Sequence, residues 1–175
     1  MSGEVRMLHS VVSLDYERPP TLPTREYAQA IREHRLIGHR CPQCGRIYTP
    51  PRGYCPVCVI PTSAADEIEL PITGTLVTYT VLNPDALHAQ GGASTCRGSV
   101  MLDGTAITVA GDLFGITPAE LHVGIRFRGV WGEASDAEMA NPGWSVPGIV
   151  GWERTGEPDV TGDEVQRLLA EAEAS

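Results

Sequence analysis

Apolar and polar positions change period twice along this chain. Behind Thr24, which stands where an N-cap belongs, Tyr27, Ala28 and Ile31 recur at helical spacing and predict a short amphipathic helix ending near His34. Leu36-Ile37-Gly38-His39-Arg40 then reads as a strand, and Arg46-Ile47-Tyr48 as its return before Pro50-Pro51-Arg52 turns the chain. From Glu69 onward the period becomes two. Thr75, Val77, Tyr79 and Val81 alternate with Leu76, Thr78, Thr80 and Leu82, so β-branched residues occupy both faces of what reads as a buried strand. Residues 83–94, with Pro84 and Gly91-Gly92, predict a long loop. Val100-Met101-Leu102 and Thr105-Ala106-Ile107 then flank Asp103-Gly104, a pair that predicts a two-residue hairpin.

Thr117-Pro118-Ala119-Glu120 sets a cap, a proline at the first helical position and a glutamate three residues after the cap, which predicts a short helical turn closed by Gly124. Ile125, Phe127 and Trp131 point one way while Arg126 and Arg128 point the other, a half-exposed strand. Residues 133–143 are acidic and turn-rich, and a last strand is expected between Trp144 and Trp152. Thr161 with Glu164 forms a second capping box, and Val165, Leu168, Leu169 and Ala172 line one side of a closing helix. Five strands with a helical turn between the third and fourth is the order of an OB barrel. The fold class is therefore mainly β.

Four cysteines add a metal to this picture. Cys41-Pro-Gln-Cys44 and Cys55-Pro-Val-Cys58 are separated by ten residues, so each pair can bend around one ion and a short hairpin can bring the bends face to face. This predicts a rubredoxin-like zinc ribbon with one structural zinc per chain. Four thiolates fill a tetrahedral ion and leave no position at which water could be activated; a rubredoxin-like iron site is the redox alternative. Gly45, after the first pair, tolerates positive φ, whereas Val59 in the matching place does so less readily. The expected organisation is an extended arm over residues 1–23, helix and ribbon over 24–66, barrel over 67–155, and an acidic tail with the C-terminal helix over 156–175.

Other chemistry is sparse. Cys96 is the leftover thiol, and although His88 or His122 could in principle serve it as a base, nothing in the sequence pairs them. A packed thiol and two solvated histidines are the expectation, and Asp103 is accounted for by its turn. There is no Gly-rich phosphate loop, no serine nucleophile elbow and no carboxylate pair in a convincing context, so no catalytic residue is assigned.

Charge narrows the partners. The formal net charge is −9, with 13 basic residues, every one an arginine, against 22 acidic ones. Trp131, Trp144 and Trp152 could stack bases as in some OB barrels, but so acidic a chain is poorly suited to gathering phosphates, and single-strand nucleic-acid binding is the lesser alternative. No apolar run reaches the length of a membrane span, and the start Met1-Ser-Gly-Glu-Val-Arg lacks a signal peptide's pattern, which predicts a cytoplasmic protein. The zinc segment is locally basic, with Arg25, Arg32, Arg35, Arg40, Arg46 and Arg52. Either they offset the anionic metal centre or they meet a phosphate or acidic partner.

Several of these segments together resemble one known family. Tyr16-Glu-Arg-Pro, Arg40-Cys-Pro-Gln-Cys-Gly-Arg-Ile-Tyr-Thr-Pro-Pro-Arg52, Cys55-Pro-Val-Cys58, Thr75-Leu-Val-Thr-Tyr-Thr80, Leu102-Asp-Gly104 and Pro118-Ala-Glu-Leu-His-Val-Gly124 are similar to the acyl-CoA-associated zinc-ribbon plus OB-fold family, domain of unknown function 35. The resemblance covers residues 14 to 132, and residues 152–158 look like the tail that many members carry. The missing glycine after Cys58 is a departure. The resemblance implies an accessory subunit of a thiolase-like (lipid-transfer-protein-like) acyl-CoA enzyme, with a steroid side-chain-type aldol lyase preferred over a thiolase or acyltransferase. A hot-dog-fold enoyl-CoA hydratase is the further partner it implies. Within it, Arg40, Arg46 and Arg52 are the candidate contacts for CoA phosphates, and the ribbon and arm would dock on the partner.

Overall fold

The computed structural model describes residues 19–82, 95–133 and 148–174. Residues 1–18 of the expected arm, the long loop at 83–94, His88 and Trp144 lie outside them, and the arm's last residues, Leu22 and Pro23, open a helix instead of extending the arm. Helix α1 spans Leu22–Arg32 and buries Tyr27, Ala30 and Ile31. Its cap is Thr21, not Thr24, because Pro23 is tolerated within the first helical turn, where its missing N–H would have had no partner anyway. His34, at φ +56°, ends the helix and turns the chain into β1.

Strand β1 (Leu36–Arg40) is the centre of a three-stranded sheet, with β2 (Ile47–Tyr48) on one side and β3 (Glu67–Leu70) on the other. Pairing is antiparallel, His39 facing Tyr48 and Leu36 facing Leu70. The second sheet closes on itself. It comprises β4 (Thr73–Leu82), β5 (Thr95–Leu102), β6 (Thr108–Phe114), β7 (Arg126–Trp131) and β8 (Ile149–Arg154), in the order β4-β5-β6-β8-β7. Antiparallel pairing of β4 with β7 at one seam and parallel pairing of β6 with β8, Leu113 opposite Trp152, complete the five-stranded barrel expected from the strand order.

Ribbon and barrel share one core. Tyr27, Ile31, Leu36 and Ile37 belong to the same buried cluster as Leu76, Val100, Phe127 and Trp152. Trp152 is fully buried, and Gly111 leaves room for it, since a Cβ there would come within 2.9 Å of the indole. Helix α2 (Gly162–Ala174) packs Val165, Leu168, Leu169 and Ala172 against Val77 and Met101, a face outside that core. Thr161 caps it through an Oγ1 that accepts from the Glu164 N–H at 3.3 Å. None of the helices among the described residues is long and apolar enough to cross a membrane.

Two local expectations change. Strand β4 is buried only over its first half, and Tyr79 and Val81 are exposed where it continues beyond its pairing with β7 and pairs with β5. The hairpin at Asp103-Gly104 is not a two-residue turn, for residues 103–107 connect the strands, with the Leu102 N–H donating to Ile107 O and the Thr105 N–H to Leu102 O. The Asp103 carboxylate is engaged by Arg126 instead. The turn at residues 117–120 is a single turn in which Glu120 accepts from both the N–H and the hydroxyl of Thr117.

Candidate metal centre

Two bends of identical construction carry the four cysteines. In each, the residue after the second cysteine has positive φ and donates its N–H to the carbonyl of the first: Gly45 to Cys41 O at 2.9 Å, Val59 to Cys55 O at 2.8 Å. The second cysteine's own N–H points at the first sulfur, at 3.5 Å from Cys44 N to Cys41 Sγ and 3.4 Å from Cys58 N to Cys55 Sγ. Val59 thus takes the left-handed conformation at φ +56° despite its branched Cβ.

The sulfurs fit a tetrahedral ion. All four lie within 4.8 Å of one another, and Cys44 Sγ is 3.8 Å from Cys55 Sγ, about the edge length that zinc–sulfur bonds of roughly 2.3 Å would span. Cys41 and Cys55 are buried, Cys44 and Cys58 partly so. Burial pushes the Cys55 thiol up, but the N–H groups of Cys58 and Val57 and the Tyr48 hydroxyl, 3.6 Å from the sulfur, outweigh it and pull Cys55 down to about 6. Cys58 is pushed up to about 12, first by burial and then by the neighbouring sulfurs. One thiolate is favoured and further ones are resisted, the situation a divalent cation resolves. Behind the site, His39 is buried with Nδ1 3.1 Å from the Thr62 hydroxyl.

A cleft of about 550 Å³ adjoins the first bend. Arg40, Arg46 and Tyr48 form its ribbon wall, residues 103–106 the barrel wall, and Leu168 and Ala172 of α2 the third side. Arg52 is exposed and not among the lining residues, so the structure brings together two of the three arginines singled out from sequence. Cys96 is buried in the core, its Sγ 3.8 Å from Ile116 O. His122 is exposed and bridges Glu120 O at 2.9 Å and the Asp159 carboxylate at 3.0 Å, holding the tail to the barrel.

At the rim of the cleft lies a constellation the sequence did not single out. Arg126 donates to both carboxylate oxygens of Asp103, at 2.6 and 2.7 Å, to Thr75 Oγ1 at 3.0 Å and to Glu157 at 3.0 Å, while Thr73 donates to Asp103 at 2.7 Å. The Arg126 side chain is only 15% exposed. Asp103 therefore does more than turn the chain, correcting the expectation that the hairpin accounts for it. Residue type alone carried no signal for a pair separated by 23 positions. The Arg126 guanidinium, with the Thr73 hydroxyl, holds the Asp103 carboxyl below the usual carboxylate range. A carboxylate depressed in the folded state stabilises at pH values above about 4 and loses that contribution as pH falls through its folded pKa. Arg126→Met should lower stability by about 2 kcal/mol near neutrality, because a partly buried carboxylate loses its bidentate partner. It should also remove this part of the acid-induced loss, to be read from urea midpoints between pH 7 and 2.5.

Known proteins share this layout. A family model described as the ChsH2 rubredoxin-like zinc ribbon domain matches residues 28–59, and one described as the ChsH2 C-terminal OB-fold domain matches residues 67–132. A DUF35 domain-containing scaffold protein of Methanocaldococcus jannaschii is 29% identical over 96 residues, 55% of this chain and 67% of that protein. A DUF35-family structure of unknown function from Sulfolobus solfataricus has a TM-score of 0.50 at 18% identity, over 63% of this chain and 79% of that one. A chain of an Ltp2-ChsH2(DUF35) aldolase has a TM-score of 0.51 at 22% identity, over 78% of this chain and 98% of that one. At these identities the two solved structures speak to fold. With ribbon and barrel matched in order across more than half of its length, this chain belongs to the ChsH2 (DUF35) family of rubredoxin-like zinc ribbons followed by an OB-fold domain.

Proposed function

We propose that the protein is a non-catalytic, zinc-binding accessory subunit of a thiolase-like acyl-CoA enzyme, most naturally an aldol lyase that cleaves a carbon–carbon bond of an acyl-CoA. The observation that carries this reading is the closed sulfur site: Cys41, Cys44, Cys55 and Cys58 lie within 4.8 Å of one another and would together supply all four ligands of a tetrahedral ion. Such a centre staples a fold and offers substrate nothing to bind. The aldolase named among the similar structures supports a partner role, and the archaeal relative called a scaffold protein supports the same role without chemistry of its own.

Zinc, one per chain, is the metal proposed, with the four cysteines as its ligands. Bound there, it would hold the two bends together electrostatically. Tyr48 would donate its hydroxyl to the Cys55 thiolate, and the N–H groups of the bends would do the same for Cys41 and Cys55. Arg40 and Arg46, both on the wall of the cleft, would meet the phosphates of CoA at the mouth of a partner's channel, for which forked guanidinium donors are well matched.

The test is reconstitution. The zinc-loaded chain alone should be colourless and should not turn over acyl-CoA substrates. Added to a purified thiolase-like partner of its host, it should form a stable hetero-oligomer and restore retro-aldol cleavage of a β-hydroxyacyl-CoA. Turnover by the isolated chain, or equal activity of the partner with and without it, would sink the proposal. Restored thiolysis or hydration in place of cleavage would redirect it to an acyltransferase or hydratase partner.

A further inference from the structure

The two bends of the ribbon share a backbone but not a surface. At equivalent positions the first carries Gln43 and Gly45, the second Val57 and Val59. Val57 is 56% exposed and Val59 80%, the most exposed of the large hydrophobic residues described, and Tyr54 beside them is 48% exposed. None of the three belongs to a buried cluster. Val59 moreover sits at φ +56°, a conformation that Gly45 takes without strain in the first bend and that disfavours a β-branched residue. A strained, solvent-facing valine contributes nothing to its own fold. Strain kept at an exposed position points to a contact made outside the chain.

The charge around this face specifies what that contact is. Between His34 and Ala65 the chain has no carboxylate, although the whole carries a net charge of −9. Arg52, two residues before Tyr54, is exposed and has no ion-pair partner among the described residues. A second copy of the chain packed symmetrically would bring Arg52 towards Arg52, which like-charge repulsion opposes. An anionic lipid surface would repel so acidic a protein as a whole. A protein surface with an apolar patch rimmed by carboxylates matches both the valines and the arginine.

We infer that the outer face of the second bend, formed by Tyr54, Val57 and Val59 with Arg52 two residues before Tyr54, is the surface that seats on the partner subunit. The inference rests on the accessory-subunit reading and names the face that does the docking and the chemistry it meets. The two valines enter an apolar patch on the partner, and Arg52 meets an acidic rim.

Val59→Gly separates this from a folding effect, because the two consequences have opposite sign. Relief of backbone strain should raise the Tm of the free zinc-loaded chain by about 2–4 °C. Loss of the side chain should weaken calorimetric binding to the purified thiolase-like partner about tenfold. Val57→Asp should weaken binding by about a hundredfold, whereas Gln43→Asp, the same charge change at the equivalent place in the first bend, should leave it within about twofold. Wild-type affinity in both valine variants would overturn the inference while leaving the accessory-subunit reading intact. Failure of the wild-type chain to bind any such partner would remove both. Loss of self-association in Val57→Asp on light scattering, or loss of binding to vesicles of anionic phospholipid, would assign the face to another occupant and overturn the inference likewise.

Discussion

Chelation of the metal, or Cys55→Ser, should unfold the ribbon and lower the thermal stability of the entire chain. A ribbon of this size cannot hold its bends without the ion, and structural zinc typically supplies roughly 10 kcal/mol of folding free energy or more. The bends themselves are held by short-range backbone bonds, the sulfur-directed N–H groups and the N–H groups of Gly45 and Val59 on the Cys41 and Cys55 carbonyls, with no apolar core of their own. The damage should not stay local, because Leu36 and Ile37 of the ribbon sheet and Ile31 of α1 are buried in the same cluster as Phe127 and Trp152 of the barrel. One cooperative transition is therefore expected for the zinc-loaded protein, and a Tm lowered by at least about 10 °C after chelation. Circular dichroism melts with and without chelator, beside zinc stoichiometry for Cys55→Ser, provide the check. A barrel melting at an unchanged temperature after complete metal loss would show that the shared core does not couple the two modules.

Gly74→Ala should be among the most damaging single methyl additions in the barrel. Gly74 is the point at which β4 pairs with two strands at once, opposite Leu102 of β5 and Phe127 of β7. A Cβ there would lie 2.1 Å from Met101 O and 2.8 Å from Val100 Cγ1. The near neighbour is backbone, and it cannot step aside without opening the ladder that closes the barrel. Overpacking normally costs 1–3 kcal/mol, and a clash with main-chain atoms at a closure seam should cost about 3 kcal/mol or more. Urea denaturation measures it, and a midpoint within error of the wild type would mean that the seam has slack the packing does not show. Gly104→Ala offers the contrast. Its Cβ would meet nothing within 4 Å, so only the strain of φ +67° would remain.

How far these features could be read in advance depends on how local they are. The metal site needed only the spacing within and between two Cys-x-x-Cys pairs, and the structure brings all four sulfurs together as that spacing requires. The closing helix needed only its Thr161 cap and the stripe of Val165, Leu168, Leu169 and Ala172. The Asp103 hairpin shows the limit. Asp-Gly correctly marked a reversal, but the loop is longer, spanned by Thr105 bonds to Leu102 and Ile107, and the aspartate is engaged by an arginine 23 residues downstream that no local pattern signals. Likewise, alternation identified β4 but not where its burial stops, since that depends on how far neighbouring strands and α2 reach along it. Val59 is the instructive residue in the metal site. Its identity signalled an imperfect second bend, yet the backbone takes the left-handed turn regardless, because four sulfurs around one centre constrain both bends alike.

Local spacing and periodicity were enough to identify the four cysteines that converge, the barrel strands in chain order and both helices, because each signal lies within a few residues of the next. Tertiary structure alone decided that ribbon and barrel share one core, that Gly74 sits at the seam, that Arg126 grips Asp103, and that Arg40 and Arg46 line a cleft without Arg52. Asp103 and Arg126, like Gly74 and its partners Leu102 and Phe127, are far apart in the chain, and closure of the barrel, with β4 paired to both β5 and β7, brings them together.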